Sequence, residues 1–94
     1  MNSMSANETL HAKLERALAE AFAPTLLELE DDSAAHAGHA GARSGAHFNL
    51  RIVSTRFNGL SRVARHRLVY DALRPWMADG VHALAIDARA PDEA

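Results

Sequence analysis

Leu10, Leu14, Ala17, Leu18, Ala21 and Phe22 recur at helical spacing, while Lys13, Glu15, Arg16 and Glu20 fall elsewhere on the wheel. The spacing predicts a helix over 6–23. Ser5-Ala6-Asn7-Glu8 fits a capping box at its start, and Pro24 disfavours helical geometry at Ala23. Leu27-Glu28-Leu29-Glu30 then alternates apolar and acidic positions, the pattern of a strand with one buried face. Phe48-Asn49-Leu50-Arg51-Ile52 resumes that alternation, and Val53 to Thr55 extends it. Between the two strands, Ser33 to Ala46 holds small residues, three glycines and His36 and His39, with His47 at its edge. Nothing in it can anchor a core, so a flexible loop is expected over 33–46.

Asn58-Gly59 marks a turn and Ser61 is a natural N-cap. Val63 through Leu73 follows helical spacing, with Leu60, Ala64, Leu68 and Ala72 on one stripe and Val69, Leu73 and Trp76 on the next. Pro75 makes helix at Arg74 less favourable, and Asp79-Gly80 ends the element. Leu84, Ile86 and Ala88 alternate, so Val81 to Ala90 is expected to be a third strand, stopped by Pro91. The order is α-β-β-α-β. A right-handed β-α-β crossover makes strands two and three parallel, the first strand antiparallel to the second, and puts both helices on one face. The fold class is therefore α+β, a three-stranded mixed sheet with two helices on one side and the other side open to water or a partner.

The 94 residues suffice for one small core, so a single domain over 1–94 with an ordered core at 6–91 is expected. With no cysteine, disulfide scaffolds, thiolate zinc sites and self-contained iron–sulfur sites are excluded. No apolar run is long enough for a membrane and no secretory signal is visible, so cytoplasmic residence is the default expectation.

The net charge of −2 is unevenly spread. Residues 1–50 carry three basic against seven acidic groups, residues 51–74 six against one, and residues 75–94 one against four. A basic middle segment between acidic ones suits nucleic acid, an acidic protein, or the domain's own carboxylates.

Several segments match one family in order: Leu27-Glu28-Leu29 with Asp31-Asp32-Ser33; His36-Ala37-Gly38-His39-Ala40-Gly41; His47-Phe48; and Val53 through Ser61 with its Phe57-Asn58-Gly59 turn. Arg65-His66-Arg67 with Leu68 to Leu73, and Gly80-Val81-His82-Ala83-Leu84-Ala85-Ile86, complete the set. From Leu10 to Pro91 the chain resembles the BolA family, in its histidine-loop type. The resemblance implies a KH-like fold and partnership with a monothiol glutaredoxin in a heterodimer holding a bridging [2Fe–2S] cluster. It also implies, as the alternative, a DNA-binding regulator of stress and morphology genes.

By motif, the resemblance assigns the cluster ligands to His82 and His36, with His39 competing for the loop position. Glutathione and the glutaredoxin would supply the two sulfurs, so no cofactor is expected in the isolated chain. Mixed imidazole and thiolate ligation should raise the reduction potential and make the site pH-dependent, because imidazole ligates only when neutral. His66 reads instead as structural, packed near the sheet and hydrogen-bonded locally.

For nucleic acid or an acidic partner the candidate surface is Arg56, Arg62, Arg65 and Arg67. The only Gly-x-x-Gly, Gly38-His39-Ala40-Gly41, lies in the wrong loop for a KH clamp and has no basic residue inside. A weak homodimer is a further partner to test. No serine has a convincing base and Asp31-Asp32 reads as a solvated strand end, so the chain is not expected to be an enzyme.

Overall fold

The computed structural model describes residues 9–32, 46–78 and 81–94, with His82 and Ala46 described by their backbone. Helix α1 spans Leu10–Phe22. Its N-cap is Thr9, whose side chain accepts a hydrogen bond from the Ala12 N–H at 3.1 Å. The Ser5-to-Glu8 capping box lies outside the described residues. Ala23 closes the helix in the left-handed region at φ 43, and its N–H bonds back to Ala19. Pro24 follows, so the chain leaves the helix where the sequence indicates.

Strands β1 (Leu26–Asp31), β2 (Ala46–Val53) and β3 (Val81–Arg89) form one sheet in the order β1-β2-β3. β1 and β2 are antiparallel, β2 and β3 parallel. Two boundaries differ from the expectation. Ala46 already belongs to β2, paired with Val81, rather than to the preceding loop. At its other end β2 stops at Val53, and Thr55–Phe57 forms a 3-10 turn in place of the expected strand extension. The turn places Phe57 in the core, where it is fully buried, and burial of that ring outweighs one more ladder position.

Helix α2 spans Arg62–Met77, capped by Ser61, which accepts from the Ala64 N–H at 3.1 Å. It runs through Pro75, which disfavours helix at Arg74, and ends at Met77, just before Asp79-Gly80. The proline lies in the last turn, where only one hydrogen bond is forgone, and continuing the helix brings Trp76 and Met77 against the core.

Cross-strand rows show how the sheet divides. Leu29, Leu50 and Ile86 form one inner row; Leu27, Ile52 and Ala88 form the next. These pack against Leu14, Leu18 and Phe22 of α1 and Val69 and Leu73 of α2. The alternate rows face away from the helices, among them Glu28, Arg51 and Asp87, where Arg51 lies 3.8 Å from each carboxylate. Both helices therefore cover one face, and the other is polar.

Candidate metal centre and partner surface

The sheet end at which β2 and β3 begin carries His82. Ala46 pairs with Val81 and His47 with Ala83, so the register shifts and His82 is the extra residue on β3. An extra residue of this kind interrupts the ladder, sharpens the local twist and re-aims the strand, and it recurs beside functional sites. At the same end the Asp32 N–H donates to the His47 carbonyl at 2.7 Å. That bond ties together the two points between which residues 33–45 run. His36 and His39 lie outside the described residues.

Among the described residues no group of three or more His, Asp or Glu could hold a metal ion. The donor chemistry of the chain fits an imidazole-contributing half-site: six histidines and no thiolate.

The four basic candidates separate by what they touch. Arg56 donates from Nη1 to the Ala21 carbonyl at 2.9 Å and lies over the Phe22 ring, 5.9 Å from its centroid. It thereby satisfies a carbonyl left open at the end of α1. Arg65 is turned inward, its side chain 12% exposed. Its Nε donates to the Leu60 carbonyl at 2.9 Å, Nη1 to the Ala88 carbonyl at 3.1 Å, and its two terminal nitrogens to the Glu93 carboxylate at 2.5 and 2.9 Å. Arg62 and Arg67 are exposed. The four candidates are therefore not one surface: Arg56 and Arg65 hold the fold.

His66 is half-buried in the groove between α2 and β3, beside Arg62, Arg65 and Ile86. The packing is as expected, but the local hydrogen bond is not found among the described residues. A different histidine makes such a bond: His11 Nε2 lies 2.5 Å from the Leu29 carbonyl, joining α1 to β1.

Two contacts had no reading in the sequence. Ser54 is 1% exposed, donates from Oγ to the Phe22 carbonyl at 2.7 Å and accepts from the Arg56 N–H at 3.1 Å. Pro91–Glu93 forms a 3-10 turn in which Glu93 also accepts from the Ala90 N–H at 2.9 Å. The Arg65 guanidinium, followed by the Ala90 N–H, holds the Glu93 carboxyl down to about 2. A signal was present in Ala90-Pro91-Asp92-Glu93: proline in the first turn and an acid three residues after the cap.

A profile of BolA-like proteins matches residues 18–93. The chain is 53% identical over 76 residues to SufE-like protein 1, chloroplastic/mitochondrial, of Arabidopsis thaliana, covering 74% of this chain and 20% of that protein. It is 48% identical over 82 residues to BolA-like protein 1 of Mus musculus, covering 87% of this chain and 56% of the mouse protein. It thus spans a fifth of the one relative and little more than half of the other. Among solved structures, the BolA domain of SufE1 from Arabidopsis thaliana superposes with a TM-score of 0.80 at 45% identity, covering 93% of this chain and 98% of that one.

A mixed three-stranded sheet with two helices on one face defines an α+β domain of the kind those structures share. The chain belongs to the BolA-like family. Among the described residues no helix is long and apolar enough to cross a membrane.

Proposed function

We propose that this chain is a BolA-like adaptor of the cytoplasm that pairs with a monothiol glutaredoxin and shares a [2Fe–2S] cluster with it, in iron–sulfur trafficking or iron and redox sensing. One observation carries the reading. His82 is the extra residue of the β2–β3 register, at the sheet end from which residues 33–45 leave and to which they return. A fixed strand position and a ligand on a long connecting segment suit a metal that arrives on another protein. His82 and His36 would contribute imidazoles, with His39 as the alternative to His36; the partner cysteine and glutathione would contribute thiolates. Bound there, the cluster supplies a one-electron centre whose potential lies above that of an all-thiolate site. The chain itself holds and orients, and transforms no substrate.

Exposed Arg62 and Arg67 on α2 support a second reading, a DNA-binding regulator. It ranks lower because Arg56 and Arg65 spend their donors on the chain's own carbonyls and on Glu93. Co-expression with a monothiol glutaredoxin decides between them. A coloured complex whose visible circular dichroism changes in His82→Ala supports the adaptor. A colourless mixture, together with salt-sensitive and sequence-selective DNA retention, supports the regulator.

A further inference from the structure

The strand order ends on β3, so one side of that strand is an edge of the sheet. The Arg89 carbonyl accepts from the Ser54 N–H, just past β2, and the Ala88 carbonyl accepts from Arg65 on α2. Successive residues of a strand turn their backbone groups to opposite sides. Asp87 and Ala85 therefore bond to β2 as Arg89 does, while Leu84, Ile86 and Ala88 turn their N–H and C=O groups away from the sheet. Among the described residues only the Ala88 carbonyl finds a partner on that side. The run from Leu84 to Ala88 is roughly 13 Å long at about 3.3 Å per residue.

The other edge differs. The Asp32 N–H bonds to the His47 carbonyl, so on β1 it is Leu27, Leu29 and Asp31 whose backbone groups face outward. The middle carbonyl of the three, that of Leu29, is taken by His11. A helix side chain thus interrupts β1 at its centre and β3 only at its end. An edge with an unbroken run of outward N–H and C=O groups is a template for a further strand.

A groove of about 650 Å³ runs along the second half of β3, with Leu60, Arg62 and His66 on one wall and Ile86 and Ala88 on the other. Most of its charge is already paired: Arg65 holds Glu93, and Arg89 holds Asp87. Arg62 is exposed and makes no hydrogen bond or ion pair among the described residues, so one cation is left over.

From the open edge and this single cation we infer that β3 takes up an extended segment of another protein as a fourth strand, with an acidic side chain of that segment on Arg62. Main-chain amides are the chemistry that matches donors and acceptors repeating at every second residue. The apolar surface of Leu60, Ile86 and Ala88 receives the uncharged side chains between. Nucleic acid fits the groove less well. A phosphate backbone calls for several cations where one is unpaired, and no aromatic ring lines the groove for a base to stack on. The strand addition stands apart from the cluster, since it uses neither His82 nor a metal.

Nuclear magnetic resonance titration of the nitrogen-labelled chain with a short synthetic peptide alternating glutamate and valine, blocked at both ends, tests this. The Leu84, Ile86 and Ala88 amide signals should shift saturably. Arg62→Glu should weaken binding about tenfold by setting like charges together, while Arg67→Glu, on the same helix but outside the groove, should stay within about twofold. Both arginines are exposed, and far-ultraviolet circular dichroism checks that the variants fold. Methylation of the peptide's backbone nitrogens should abolish binding, because pairing uses those N–H groups. No saturable shift at the three amides, wild-type affinity in Arg62→Glu, or full binding by the methylated peptide or by one alternating lysine and valine overturns the inference. The same shifts produced by a single-stranded oligonucleotide and not by the peptide assign the edge to nucleic acid. Concentration-dependent sedimentation of the chain alone, with shifts at these amides, assigns it to a second copy. Either result overturns the inference as well.

Discussion

Arg65 and Glu93, 28 residues apart, meet through two parallel hydrogen bonds that fasten the C-terminal turn to the first half of α2. The same guanidinium reaches the Ala88 carbonyl, so one side chain joins α2, the end of β3 and the terminal turn. A forked donor against a planar carboxylate is a geometry lysine cannot reproduce. The pair also sets an acid sensitivity. Glu93 titrates at about 2 in the folded chain against an ordinary 4.5, so its stabilising effect is complete above 4.5 and is lost as pH falls toward 2. Urea midpoints measured across that window should drop for the wild type and change less for Glu93→Gln. Arg65→Lys should lower the midpoint at neutral pH.

Ser54→Ala should be costly for so small a change. The hydroxyl is buried, and removing it leaves the Phe22 carbonyl and the Arg56 N–H without their partner. A loss of about 1–3 kcal/mol in unfolding free energy is expected. Ser61→Ala, which removes an exposed N-cap, should cost about 1 kcal/mol. Equal losses in the two variants would show that burial of Ser54 carries no extra weight.

Phe57→Ala should destabilise by about 3–5 kcal/mol, because a fully buried ring packed 5.0 Å from the Phe22 ring leaves a cavity its neighbours cannot fill. Val63→Ala, on the solvent side of α2, should stay within about 0.5 kcal/mol. Chemical denaturation followed by Trp76 fluorescence reads both.

His82→Ala should change the visible circular dichroism of the glutaredoxin complex. His36→Ala and His39→Ala, compared side by side, identify the loop ligand: the variant that matches His82→Ala in effect carries it. The wild-type complex should also lose its cluster on acidification, since a protonated imidazole has no free lone pair.

Much of the fold was legible because its signals are local. Alternation in Leu27-Glu28-Leu29-Glu30 and Phe48 to Ile52 marks strands that bury one face, and both appear with the expected antiparallel pairing. The parallel β2–β3 pairing follows from the handedness of a β-α-β crossover. Pro75 shows where local rules fail. Its ring disfavours helix at Arg74, yet packing of Trp76 and Met77 on the core carries α2 past it. The basic segment was visible as composition, but composition could not separate inward Arg65 from outward Arg67.

By itself, then, the order of apolar and polar residues determined the element sequence, the sheet topology, which face is buried and, through its motifs, the family. Tertiary structure alone decided that His82 is the extra residue of a shifted register, that Ser54 is a buried junction, and that Arg65 belongs to Glu93. The physical reason is range. Hydrophobic periodicity is written along a few consecutive residues, whereas the partner of a guanidinium or a hydroxyl is chosen by which distant carbonyls and carboxylates the folded chain brings within about 3 Å.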